Sequence, residues 1–107
     1  MIKFEDFQKL DLRIAKIIEA QKIKESEKLI ILKIDIGGET RQIVAGIGKA
    51  YQAEELVGKK IVVLVNLEPK KLMGYESQGM LLAAIGKGGD PVLLVPEKDI
   101  EPGAKVS

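Results

Sequence analysis

Cysteine, histidine and tryptophan are absent from this 107-residue chain, and its only aromatics are two tyrosines and two phenylalanines. Without cysteine there is no disulfide framework and no thiolate zinc site, which fits a reducing, intracellular setting. Without histidine, Ser-His and Cys-His catalysis and imidazole metal sites fall away as well. The sixteen carboxylates are interspersed with lysines in the manner of a solvated surface, not gathered into an acid–base pair. No apolar run approaches the ~20 residues that a membrane-spanning helix needs. The opening Met1-Ile2-Lys3-Phe4-Glu5-Asp6 is too polar for a signal peptide. Asn66 is the only asparagine; with abundant lysine, glutamate and isoleucine this is a composition common in heat-stable proteins. These absences predict a non-catalytic, cytoplasmic protein that needs neither metal nor cofactor.

What is present is charge and short apolar runs. The net charge is only +1, but it is unevenly spread. Residues 1–58 balance ten basic against ten acidic groups. Residues 59–87 carry five lysines (Lys59, Lys60, Lys70, Lys71, Lys87) against Glu68 and Glu76, and residues 88–107 are net acidic. The central excess of positive charge is where a phosphate-bearing partner would be drawn.

The length suits one domain, residues 1–107, with a single core. Phe4, Phe7 and Leu10 lie three apart, which predicts a short amphipathic helix with Phe4 and Phe7 in the core. Strands are predicted at 12–20, 29–36, 41–45, 61–65, 80–85 and 92–95. Gly37-Gly38 marks a hairpin turn between the second and third. A brief helix at 51–56, ended by Gly58, falls between the third and fourth. In the second strand Ile30, Leu32, Ile34 and Ile36 share one face, while Ile61-Val62-Val63-Leu64-Val65 is apolar throughout and therefore buried on both. Pro96 and Pro102 mark an irregular tail. Five short strands with a helix after the third is the order of the OB-fold, an all-β Greek-key barrel, here with a short N-terminal helix and an extra C-terminal strand or tail.

Residues 66–78, Asn66-Leu67-Glu68-Pro69-Lys70-Lys71-Leu72-Met73-Gly74-Tyr75-Glu76-Ser77-Gln78, read as a loop between two buried strands, held by the sheet beneath it. Around it stand Asp11-Leu12-Arg13-Ile14-Ala15-Lys16-Ile17, Glu27-Lys28-Leu29, Arg41-Gln42-Ile43-Val44-Ala45-Gly46-Ile47 and Glu76-Ser77-Gln78-Gly79-Met80-Leu81-Leu82-Ala83-Ala84. In this order the motifs resemble the tRNA-binding domain appended to many methionyl-tRNA synthetases, which recurs as stand-alone tRNA-binding proteins and in a bacterial secretion-chaperone-like relative. The resemblance runs from about Phe4 to the end. It implies an OB-fold, a homodimer, and recognition of tRNA by shape, with methionyl-tRNA synthetase or another synthetase as a further partner and no membrane.

On that resemblance the candidate tRNA-binding residues are Lys28, Arg41, Asn66, Lys70, Lys71, Ser77, Gln78 and Met80. Lys70 and Lys71 follow Pro69 and are expected to contact phosphates. Asn66 either pins local backbone or reads a base edge or 2′-hydroxyl. Ser77 either caps a turn or touches the RNA backbone, and Met80 either fills the core or supports a base. Lys28 and Arg41 are expected on the second and third strands, where Arg41 offers a planar fork to phosphate. Arg13 is expected to be structural, paired with Asp11 or Asp35. With only Tyr51 and Tyr75 left for stacking, a folded RNA suits the surface better than an extended single strand. The reading is thus a non-catalytic tRNA-binding protein assisting aminoacylation. The alternative is a chaperone-like dimer holding peptides of secretory precursors in the same groove.

Overall fold

In the computed structural model, which describes residues 1–107, a short helix leads into a chain whose regular structure is almost all strand. The elements are α1 (Phe4–Gln8), β1 (Leu12–Lys22), β2 (Ile30–Asp35), β3 (Thr40–Ala45), α2 (Ala53–Leu56) and β4 (Lys60–Leu64). They continue as β5 (Lys70–Leu72), β6 (Tyr75–Ser77), β7 (Met80–Leu81), β8 (Ala83–Ile85), β9 (Pro91–Leu93) and β10 (Lys105–Val106).

β1 organises the rest. Its alternation of Leu12 and Ile14 changes phase at Ile17-Ile18, where the register against β2 slips between Ile17 and Glu19. Such a bulge bends a strand and strengthens its twist. The bend lets β1 serve two neighbours, pairing antiparallel with β4 along residues 12–16 and with β2 along 16–22. The strand order is β3-β2-β1-β4-β7, with β10 added beside the start of β1. The ends of that order curl together, giving a nearly closed five-stranded antiparallel barrel of OB type with α2 between β3 and β4. Asp35 closes the β2–β3 turn by accepting the Gly37 N–H at 2.8 Å. Gly37 and Gly38 there take φ of 95° and 88°, a region costly for side-chain-bearing residues.

Alternation decides what lies inside. Ile30, Leu32 and Ile34 are fully buried while Lys33 between them is exposed. The continuous apolar run of β4 feeds two cores. Ile61, Val63 and Val65 enter the barrel with Ala15, Ile17, Ile43 and Leu56. Val62 and Leu64 point outward and join Leu12 and Ile14 beneath Phe7, Leu82, Ala104 and Val106. Burial of each such aliphatic side chain contributes roughly 1.5–3 kcal/mol.

Several expectations are corrected. Phe4 is 71% exposed, because α1 is a single short helix that lays only Phe7 against the outer cluster. The run 80–85 is not one strand. It breaks at Leu82, so that β7 pairs with β4 while β8 pairs with β9. Lys28 lies in the connector ahead of β2, where Ser26 Oγ accepts the N–H groups of Lys28 and Leu29. Residues 66–78 are not a plain loop, since β5 and β6 form a hairpin within them. Arg13 does pair with Asp11, at 2.6 Å, and it also donates to the Gly103 carbonyl. The tail is irregular but tied down. Gly103 N–H donates to Ile14 O, Ile14 N–H donates to Ala104 O, and Lys60 Nζ donates to Asp99 Oδ1 and to the Ile100 carbonyl.

Candidate nucleic-acid interface

The segment after β4 is clamped at both ends. At its start, Asn66 Nδ2 donates to Lys9 O (2.7 Å) and Asn66 Oδ1 accepts the Asp11 N–H (2.9 Å). Both polar ends of the amide are therefore engaged, and with the polypeptide more than fifty residues earlier in the chain rather than with the local backbone. The Val65 carbonyl just before it accepts from the Arg41 guanidinium, whose Nε donates to Glu39. Arg41 is three-quarters buried by these contacts. It braces the root of the hairpin more than it offers a free fork to solvent.

At the far end, side chains complete the barrel seam that backbone pairing leaves open. Ser77 Oγ accepts the Val44 N–H and donates to the Gly79 carbonyl, both at 2.9 Å. Gln78 Oε1 accepts the Gln42 N–H, Gln78 N–H donates to Gln42 O, and Gln42 Nε2 donates to Glu76 O. Ser77 is 5% exposed. Its hydroxyl is thus turned into the protein, and Gln78 is half-buried in the seam. Both side chains close the barrel here, Ser77 from inside the protein and Gln78 from its half-buried place in the seam.

Between these clamps the hairpin pairs Lys70 with Ser77, Lys71 with Glu76 and Leu72 with Tyr75. Met73 and Gly74 make the two-residue turn at φ 49° and 84°. A hairpin turn with two positive φ values ordinarily uses Asn-Gly, so Met73 is held in a costly conformation. Successive side chains on a strand face opposite ways. Lys70 and Leu72 therefore share one face of the hairpin and Lys71 lies on the other. The two lysines act as separate charges, not as one patch.

Beneath the Lys70 face lies a cleft of about 270 Å³. Its walls are the end of β3 (Val44, Ala45, Gly46), the hairpin residues Leu67, Glu68, Lys70 and Leu72, and Ser77, Gly79, Met80 and Leu81. Met80, 48% exposed, forms part of this wall and is not core filler. The Lys28 stem lies over Gly46, where an added Cβ would meet its Cε at 2.8 Å. Lysines thus stand on both rims. No carboxylate is within ion-pair distance of Lys28, Lys70 or Lys71, whereas Arg13, Arg41 and Lys60 are paired.

Residues 12–105 match the family described as "Putative tRNA binding domain". The chain belongs to this tRNA-binding domain family. The methionine–tRNA ligase of Thermotoga maritima is 62% identical over 107 residues, covering 99% of this chain and 17% of that protein. The chain spans about a sixth of the length of the curated relatives it matches. Among solved structures, the MetRS-related protein of Pyrococcus horikoshii superposes with a TM-score of 0.95 at 40% identity, over 100% of this chain and 98% of that one. The chaperone CsaA of Bacillus anthracis superposes with a TM-score of 0.92 at 39% identity, over 100% and 99%.

Within this tRNA-binding domain the structure brings Lys70 and Met80 to one cleft, lays the Lys28 stem over Gly46 at its edge, puts Lys71 on the opposite face of the hairpin, and sets Asn66, Arg41, Ser77 and Gln78 in the frame beneath. Sequence reasoning passed over Leu67, Glu68 and Leu72 as lining residues. The period-two pattern Glu68, Lys70, Leu72 carried that signal, but it is legible only once 70–72 is known to be a strand. Tyr51 is not a free stacking platform, since it packs on the core and its hydroxyl accepts the Leu93 N–H. Tyr75, 40% exposed on the hairpin, remains open. No helix is long and apolar enough to cross a membrane.

Proposed function

We propose that this domain binds tRNA without catalysing a reaction, holding it by shape and backbone, and that it raises the local concentration of tRNA for methionyl-tRNA synthetase or another synthetase. The observation that carries the reading is the clamped hairpin, which presents Lys70 and Lys71, both without an ion-pair partner, on its two faces. A rigid frame lowers the ordering cost of binding, and lysines on separate faces suit a folded backbone that wraps the hairpin better than a flat duplex. The protein works as a homodimer. Supporting this, Val92, Val95 and Phe4 are more than half exposed, and such apolar surface is better covered than left in water. Light scattering should then give twice the 11.7 kDa chain mass.

A second reading is favoured by the likeness to CsaA and by the apolar walls of the cleft, namely that the groove holds extended polypeptide. A gel shift against bulk tRNA, a matched single-stranded RNA and an unfolded polypeptide decides between them. Binding of tRNA in preference to both others is expected. Preference for the polypeptide would transfer the function to the second reading.

A further inference from the structure

We propose that the cleft beside the hairpin takes one unstacked nucleobase of the bound RNA and that Glu68 selects guanine there. The inference rests on the RNA-binding reading above and adds a base preference to it. At about 270 Å³ the cleft is slightly smaller than the ~300–1,000 Å³ of pockets for drug-sized ligands, which suits one planar heterocycle. Leu67, Leu72, Met80 and Leu81 give it apolar walls, and a thioether against a ring is a favourable contact.

The polar groups at the wall decide the edge. Ser77 Oγ is committed to Val44 N–H and Gly79 O. Lys70 brings a cation, and Glu68 brings a carboxylate that forms neither an ion pair nor a hydrogen bond within the chain. An ionised carboxylate only accepts hydrogen bonds, through two oxygens. On the Watson–Crick edges, guanine alone offers two adjacent donors, N1–H and the 2-amino group. Adenine and cytosine set one amino group beside an acceptor nitrogen, and uracil sets one N–H between two carbonyls. In each of those an oxygen of Glu68 would face a lone pair. The same carboxylate repels phosphate, so the sugar-phosphate strand runs along the rims, where Lys28 and Lys70 stand, and the base edge turns toward Glu68. A base can enter only if it is unpaired, so the ligand presents it from a loop, bulge or end.

The test uses the intact chain and a stem-loop RNA carrying one unpaired nucleotide, made as guanosine, inosine, adenosine, cytidine or uridine. Inosine keeps N1–H and lacks the 2-amino group. The guanosine form should bind tightest, by roughly five- to a hundredfold over the others, as expected for a bidentate base contact. Glu68→Gln should abolish the preference while melting normally, since Glu68 is exposed and makes no hydrogen bond within the fold. Equal binding of all five RNAs alongside normal tRNA binding would overturn the base assignment and leave the RNA-binding reading standing. Failure to bind any RNA, tRNA included, would remove both. Displacement of the guanosine form by an unfolded polypeptide, unchanged in Glu68→Gln, would give the cleft to peptide and overturn the proposal.

Discussion

Replacing Ser77 by alanine separates a residue that holds the fold from one that touches RNA. The Ser77 hydroxyl is the partner of the buried Val44 N–H, and it closes the barrel seam through Gly79 as well. Alanine fills nearly the same volume, so the loss is polar: one buried N–H is left without an acceptor and one carbonyl without its donor. Leaving a buried group unsatisfied costs about 1–3 kcal/mol. In a domain of this length 1 kcal/mol corresponds to roughly 4–8 °C in Tm, so the midpoint should fall by about 5–20 °C. Below that midpoint the hairpin lysines are still displayed. Affinity for tRNA at 20 °C, measured by filter binding, should therefore stay within about twofold of the wild type, and its dependence on salt should not change. Thermal denaturation followed by circular dichroism supplies the stability half of the experiment. An unchanged Tm together with a tenfold or larger loss of tRNA affinity would refute the reasoning, because it would mean that the hydroxyl faces RNA.

Three other perturbations follow from the same structure. Gly103→Ala should destabilise the chain by at least about 1 kcal/mol, because the new Cβ would sit 2.7 Å from Ile36 O at φ 92°; Gly38→Ala, equally strained in φ but with open space around it, should cost less in a urea melt. Met73→Asn should stabilise by roughly 0.5–1 kcal/mol in the same melt, since asparagine tolerates the left-handed region far better than other side chains. Arg13 beside Asp11 and Lys60 beside Asp99 hold these two carboxyls below their usual 3.8. Their stabilisation is present above 3.8 and is lost as pH falls through the lowered values. With no histidine to titrate, Tm should be nearly flat from about pH 5 to 9 and fall below about pH 4; a marked step near neutrality would contradict this.

The barrel was legible because its strands follow simple rules. Ile30, Leu32 and Ile34 alternate with polar or less buried neighbours, Gly37-Gly38 supplies the turn, and the run 61–65 is apolar because both of its faces are covered. Ile17-Ile18 was less readable, since a bulge breaks alternation without changing composition. The hairpin at 70–77 escaped because its strands are three residues long and its turn is Met73-Gly74 in place of Asn-Gly. The roles of Asn66, Ser77 and Gln78 depend on partners at positions 9, 11, 42, 44 and 79. No local pattern announces such pairs. Hydroxyl and amide groups beside a basic turn look alike in sequence whether they face ligand or frame. The exposure of Lys70 and Lys71 was easier to foresee, because a charge that finds no partner in the fold stays in solvent.

Whether the hairpin lysines hold tRNA is tested most directly by the salt dependence of binding. Lys28, Lys70 and Lys71 provide three unpaired cations per chain, so log affinity should fall against log salt with a slope of roughly −2 to −3 for each chain engaged. The double variant Lys70→Ala, Lys71→Ala should lose about 1.5 from that slope and bind all tRNAs more weakly by a similar factor, with folding intact because both side chains are exposed. Full affinity with the full slope in this variant would place the tRNA site elsewhere on the chain.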